Sequence, residues 1–106
     1  MELHKNWLLF LNPILHLREE TEIPLLATLI TLYLGHKERD YKEDTLYEML
    51  FSDETKEAIR IKLGVSVRSF TKSFRALEIK QMIIEGKLNP KILPKDYKLN
   101  ITFKVG

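Results

Sequence analysis

SDETKEAIRIKLGVSVRSFTKSFRALEIK, residues 52–80, is the stretch whose reading decides the fold. Ser52-Asp53 supplies an N-cap, because a serine hydroxyl can accept from a free amide of the first helical turn. A helix over 54–63 follows. Leu63-Gly64-Val65-Ser66 then reads as a turn ending in a second N-cap, with the next helix over 67–80. Gly64 is the only glycine between residues 36 and 85. It stands where two helices must be joined tightly, and only glycine takes a left-handed backbone there without steric cost. Within the second helix Phe70, Phe74 and Leu77 recur at spacings of four and three, so they share one face. Burying each phenylalanine is worth roughly 1.5–3 kcal/mol, which fixes that face inward. Arg68, Ser69, Thr71, Lys72 and Arg75 then lie elsewhere on the helix, facing water or a ligand.

Upstream, residues 18–35 predict the first long helix. Glu19, Glu20 and Glu22 fall in its first turn, where the helix dipole favours acids. Pro24 is tolerated there because the first four amides have no partner inside a helix. Leu25, Leu26, Leu29, Ile30, Leu32 and Leu34 cover more than one side, so this helix belongs at the centre, and Gly35 is its expected stop. Residues 38–44 predict a loop and 45–51 a short helix. Residues 1–17 predict a docking arm: Trp7, Leu8, Phe10, Leu11, Ile14 and Leu15 are too apolar for a free tail, while Asn12-Pro13 favours a turn.

Downstream, Met82, Ile83 and Ile84 lean towards strand and Glu85-Gly86 can turn. Residues 89–97, with Pro90 and Pro94, predict a loop. Leu99, Ile101, Phe103 and Val105 alternate with polar residues, the clearest strand pattern in the chain, expected to pair antiparallel with 82–84. The fold class is therefore mainly α with a small antiparallel β-hairpin (α+β), in one domain over 18–106 preceded by the arm.

The charge is unevenly placed. Residues 1–55 carry 5 Lys and Arg against 11 Asp and Glu, a balance of −6; residues 56–106 carry 12 against 4, a balance of +8. The basic half offers a surface for polyanions. There is no cysteine, which excludes disulfides and thiolate metal sites and suits a reducing cytoplasm. Trp7 to Leu11 is too short for a secretory signal, and residues 23–34 are too short to span a bilayer, so no membrane partner is expected. His4, His16 and His36 have no metal-ligand spacing. No glycine-rich phosphate loop or nucleophile elbow is present, so neither cofactor, metal nor catalysis is expected.

The run Leu63-Gly64-Val65-Ser66, with Phe70, Phe74 and Leu77 after it and Met82-Ile83 beyond, resembles the winged helix-turn-helix family of DNA-binding domains. The resemblance covers about residues 52–105, with the motif at 52–80 and the wing at 82–105. Three departures stand out, one of them the wing itself, which has nine residues between Leu88 and Lys98 with two prolines among them. Arg60 occupies a position where the family has a small residue, so either the two motif helices do not approach closely or Arg60 snorkels outward. Gln81 stands where the family often has glycine before the first wing strand. The resemblance implies double-stranded DNA as partner. The residues expected to touch it are Ser66, Val67, Arg68, Ser69, Thr71, Lys72 and Arg75 on the second motif helix, with Lys87 and Lys91 from the wing. It also implies a role in control of transcription or replication. Small size and a lysine-rich make-up are similar to accessory proteins of phages and mobile elements. A homodimer through the apolar arm would pair half-sites. The alternative is a protein-interaction module of the same fold that works through the acidic first half and the arm.

Overall fold

The computed structural model describes residues 2–93. Within them the order is α1 (Glu2–Leu15), α2 (Glu22–Glu38), α3 (Glu43–Leu50), α4 (Asp53–Leu63), α5 (Val67–Ile79), β1 (Ile83–Ile84) and β2 (Lys87–Leu88), then a 3₁₀ turn at Pro90–Ile92. Among the described residues the architecture is mainly helical with one two-stranded antiparallel sheet. No helix among the described residues is long and apolar enough to cross a membrane.

α2 is the central element and packs against α1, α3, α4 and α5. Ile23, Leu25, Leu26, Ala27, Leu29, Ile30 and Tyr33 are all buried, which spans more than one side of a helix. Its boundaries differ from expectation at both ends. The helix starts at Glu22, not residue 18, so Glu19 and Glu20 lie in the turn before it. Arg18 O accepts from the amides of both Glu22 and Ile23, which closes that turn. Pro24 is the third helical residue, where no intrahelical donor is missed. At the other end the helix passes through Gly35 to Glu38. Glycine in a helix interior costs about 0.5–1 kcal/mol relative to alanine. Contacts around it carry that cost: Tyr33 packs against Tyr47 with the rings tilted and 5.3 Å apart, and His36 meets Tyr41 edge-on at 5.7 Å. The left-handed residue that ends the segment is Asp40, at φ 61°.

α1 also runs further than Asn12-Pro13 suggested. It reaches Leu15, and the chain reverses at His16, whose φ is 58°. The Asn12 amide makes the reversal, accepting from the Leu17 amide at 2.7 Å and donating to Leu17 O at 3.1 Å. The turn signal is real but acts one helical turn later. Leu8 is fully buried, Trp7 Nε1 donates to Ile92 O at 2.9 Å, and His4 meets Thr31 at 2.7 Å. These contacts seat α1 on α2 and on the 3₁₀ turn. Ile92 and Leu93, expected in a loop, are therefore core residues.

The sheet is a two-residue hairpin. Ile83 pairs with Leu88 and Ile84 with Lys87 around Glu85-Gly86, at φ 50° and 73°. Two consecutive positive φ angles match the right-handed strand twist, and glycine at the second lowers their cost. Ile83 and Leu88 point inward; Ile84 and Lys87 point out. Among the described residues β1 thus pairs with 87–88; the alternating stretch 99–105, expected as its partner, lies outside the described residues. Gln81 takes a left-handed conformation at φ 62°, the backbone that would favour glycine at this position. Asn89 holds the hairpin base, donating from its side chain to Gln81 O and from its backbone to Met82 O, each at 2.9 Å.

Candidate nucleic-acid interface

The candidate surface is α5, and its position is set by the junctions on either side of α4. Ser52 caps α4 by accepting from the Thr55 amide at 3.2 Å. The Ser52 and Thr55 hydroxyls both donate to Met49 O, at 2.9 and 2.7 Å, which ties the end of α3 to the start of α4. Gly64 closes α4 with φ 68°, and the amides of Gly64 and Val65 return to Ile61 O and Arg60 O. Ser66 then caps α5 by accepting from the Ser69 amide at 3.1 Å. Arg60 reinforces this three-residue link. Its Nη1 donates to Val65 O at 2.8 Å while the rest of the guanidinium pairs with Glu57. The large side chain at this position reaches out of the helix contact and braces the turn.

α5 has two distinct sides. Phe70 and Leu77 are buried, at 8% and 0% exposure. Phe74 is half-buried, a correction to the expectation that all three phenylalanine and leucine positions sit fully inside. It lies at the edge of the core, edge-on to Phe51 at 5.8 Å and beside Phe70 at 6.0 Å, with Lys56 Nζ 4.6 Å above its ring. At about 100° per residue, Arg68, Lys72 and Arg75 fall within about 60° of one another and about 160° from the buried stripe. All three are exposed, and none makes an ion pair or hydrogen bond among the described residues.

Ser66, Val67, Ser69 and Thr71 are likewise exposed. Ser66 is already engaged as the cap, so its hydroxyl is structural first. Val67 is 62% exposed at the first turn, an apolar side chain with nothing among the described residues to cover it. Lys87 is exposed on the outer side of β2. Lys91 is exposed too, but it borders a groove with Leu11, Ile14, Lys80 and Gln81, which places it beside α1 and not with the cations of α5. Among the described residues no three of His, Asp and Glu come together as metal ligands would.

Two cations matter here that sequence reasoning did not single out. Lys56 flanks α5 from α4 through its contact with Phe74. Lys80 Nζ donates to Glu22 Oε1 at 2.6 Å and to His16 O at 3.0 Å. Glu22 is 3% exposed, and its carboxylate also accepts from the Arg18 amide at 3.1 Å. This pair of a buried carboxylate and a half-buried ammonium fastens the end of α5 to the start of α2. Its partners are 58 residues apart, and nothing in a single sequence joins them.

No family model, curated protein or solved structure matches this chain.

Proposed function

We propose that this chain is a winged helix-turn-helix protein that binds double-stranded DNA, with α4 and α5 as the motif and α5 as the helix that enters the major groove. The observation that carries this reading is the stripe of Arg68, Lys72 and Arg75, opposite the buried face and without acidic partners among the described residues. An α-helix with side chains is about 10–12 Å across, and the major groove is about 12 Å wide. Arginine and lysine on the inserted face can donate to guanine edges or to phosphates, and Ser69 and Thr71 add hydroxyl donors beside them. The β1–β2 hairpin, with Lys87 outward, takes the place of the wing. Control of transcription or replication is the role that fits such a protein.

The test replaces Arg68, Lys72 and Arg75 together by alanine and titrates matched and mismatched duplexes at several salt concentrations. Each lost phosphate contact flattens the slope of log affinity against log salt by about 0.9. Each lost guanine contact removes roughly 1–3 kcal/mol of discrimination at one base position. A variant that binds as the parent does, at every salt concentration, refutes the role of α5.

A second reading rests on α1, where Phe10 and Ile14 are each 77% exposed one helical turn apart. A second copy meeting this pair would give the homodimer that half-site pairing calls for. Sedimentation of the protein and of Phe10→Asp over a range of concentrations decides it: a dimer lost in the variant supports the reading, and a monomer throughout ends it.

A further inference from the structure

The side of α5 facing the start of α2 carries a cleft of about 380 Å³ that the fold does not fill. Its walls bring Arg18 and Thr21 from the turn before α2 together with Ser69, Lys72 and Ser73 from α5. The Glu22–Lys80 pair forms one end. Thr21 makes no side-chain cap for α2, and the hydroxyls of Thr21, Ser69 and Ser73 have no partner among the described residues. Glu22 is committed to Lys80 at 2.6 Å. Arg18 Nε stands 4.0 Å from the other carboxylate oxygen, beyond hydrogen-bond reach, and its side chain is 71% exposed. The cleft thus offers two available cations and three available hydroxyls, while its one acid is already neutralised. That donor set suits a singly charged oxyanion such as a phosphodiester.

The position of the cleft says which phosphodiester. Ser69, Ser73 and Ala76 lie between the outward stripe of α5 and its buried stripe, on the flank. When a helix occupies the major groove, the sugar-phosphate backbones run along its flanks. We infer that Arg18 and Thr21, with Ser69, Lys72 and Ser73, form an anchoring site for a backbone phosphate of the duplex that α5 reads. The inference rests on the DNA-binding reading and adds to it a contact made by the segment before α2, outside the motif. Such a contact fixes the register of α5 in the groove and carries no base information of its own.

The experiment compares the full chain with Arg18→Ala, Thr21→Val and, as a control for loss of general charge, Arg39→Ala at the opposite end of α2. Arg18 and Thr21 are exposed and contribute no side-chain hydrogen bond to the fold, so both variants keep the parent melting temperature. The expected result is a salt slope flatter by about 0.9 for Arg18→Ala and weaker binding for Thr21→Val. Discrimination between matched and mismatched duplexes stays unchanged in both, and Arg39→Ala keeps the parent slope. Equal slopes for Arg18→Ala and Arg39→Ala overturn the inference while leaving duplex binding by α5 intact. Absence of duplex binding by the parent itself overturns both. A third arm titrates inorganic phosphate without DNA. Saturable binding that Arg18→Ala abolishes, with no change in the DNA salt slope, assigns the cleft to a free anion and rejects the backbone contact.

Discussion

α2 buries nine of its seventeen residues, whereas α5 buries two of its thirteen, Phe70 and Leu77. The two helices pack on one another, so the contrast is between neighbours in one core. On α2 nearly every position from Glu22 to Ile30 is dictated by packing, and its polar residues Glu22 and Thr28 are buried with partners. On α5 one stripe suffices to hold the helix, and the outward side answers to no contact within the described residues. Stability therefore resides in α2 and the inner stripe of α5. The composition of the outer stripe, two arginines and a lysine, is not fixed by packing among the described residues.

The contrast is broken most directly at the inner positions. Phe70→Ala should cost about 3–5 kcal/mol and Leu26→Ala on α2 about 2–5, enough to unfold a domain of this size. Phe74→Ala should fall below Phe70→Ala, because its ring is half-buried. Urea unfolding checks the order; a Phe74 variant less stable than the Phe70 variant would put the core boundary of α5 in the wrong place.

A smaller effect is expected where the two helices are clamped. Lys80→Met leaves the Glu22 carboxylate buried with only the Arg18 amide as donor, a loss of about 1–3 kcal/mol. Adding Glu22→Gln to that variant should recover part of the loss, since the unpaired charge is removed. A double variant no more stable than Lys80→Met argues that the pair is incidental to holding α5.

At the outer stripe, replacing Arg68, Lys72 and Arg75 by alanine should change stability by no more than about 0.5 kcal/mol per site, the usual range for exposed positions. A large drop in melting temperature would mean that these side chains serve the fold after all.

The smallest effect concerns how α1 is seated. Burial holds the His4 imidazole below its ordinary value of 6.5, so the neutral ring is favoured in the folded chain. Thr31 donates its hydroxyl proton to Ala27 O, which leaves its oxygen to accept from His4 Nδ1. The unfolded chain binds the proton more readily, so this contribution is complete above about pH 6.5 and is lost as pH falls through the folded value. Melting temperatures of the parent and His4→Asn should converge as pH drops from 7.5 to 5; curves that stay parallel remove His4 from the account.

How much of this was legible in the sequence depended on whether the deciding interaction was local. The boundaries of α4 and α5 follow from Ser52, Gly64 and Ser66, each acting within four residues, and the burial of Phe70 and Leu77 follows from helical spacing. The hairpin turn at Glu85-Gly86 was equally local. Lys87-Leu88 as a strand was not, because two residues are too few to show alternation. Gly35 and Pro13 misled for one reason: both disfavour a helix locally, and tertiary contacts on either side outweigh them. Ile92 and Leu93 sit in a proline-rich stretch that reads as loop, and only Trp7, 85 residues away from Ile92, reveals them as core. For the candidate interface, the cations of α5 were readable from the helix pattern. The flanking cleft was not, since it arises from a turn and a helix about fifty residues apart.

The central claim is that the outer stripe of α5 binds duplex DNA. Its most direct test is the affinity of the parent protein for a mixed-sequence duplex, measured from low salt upward. Three phosphate contacts from Arg68, Lys72 and Arg75 predict clear binding at low salt and a log–log slope of about −2.7 or steeper. No binding at the lowest salt, or binding whose affinity does not change with salt, would contradict it.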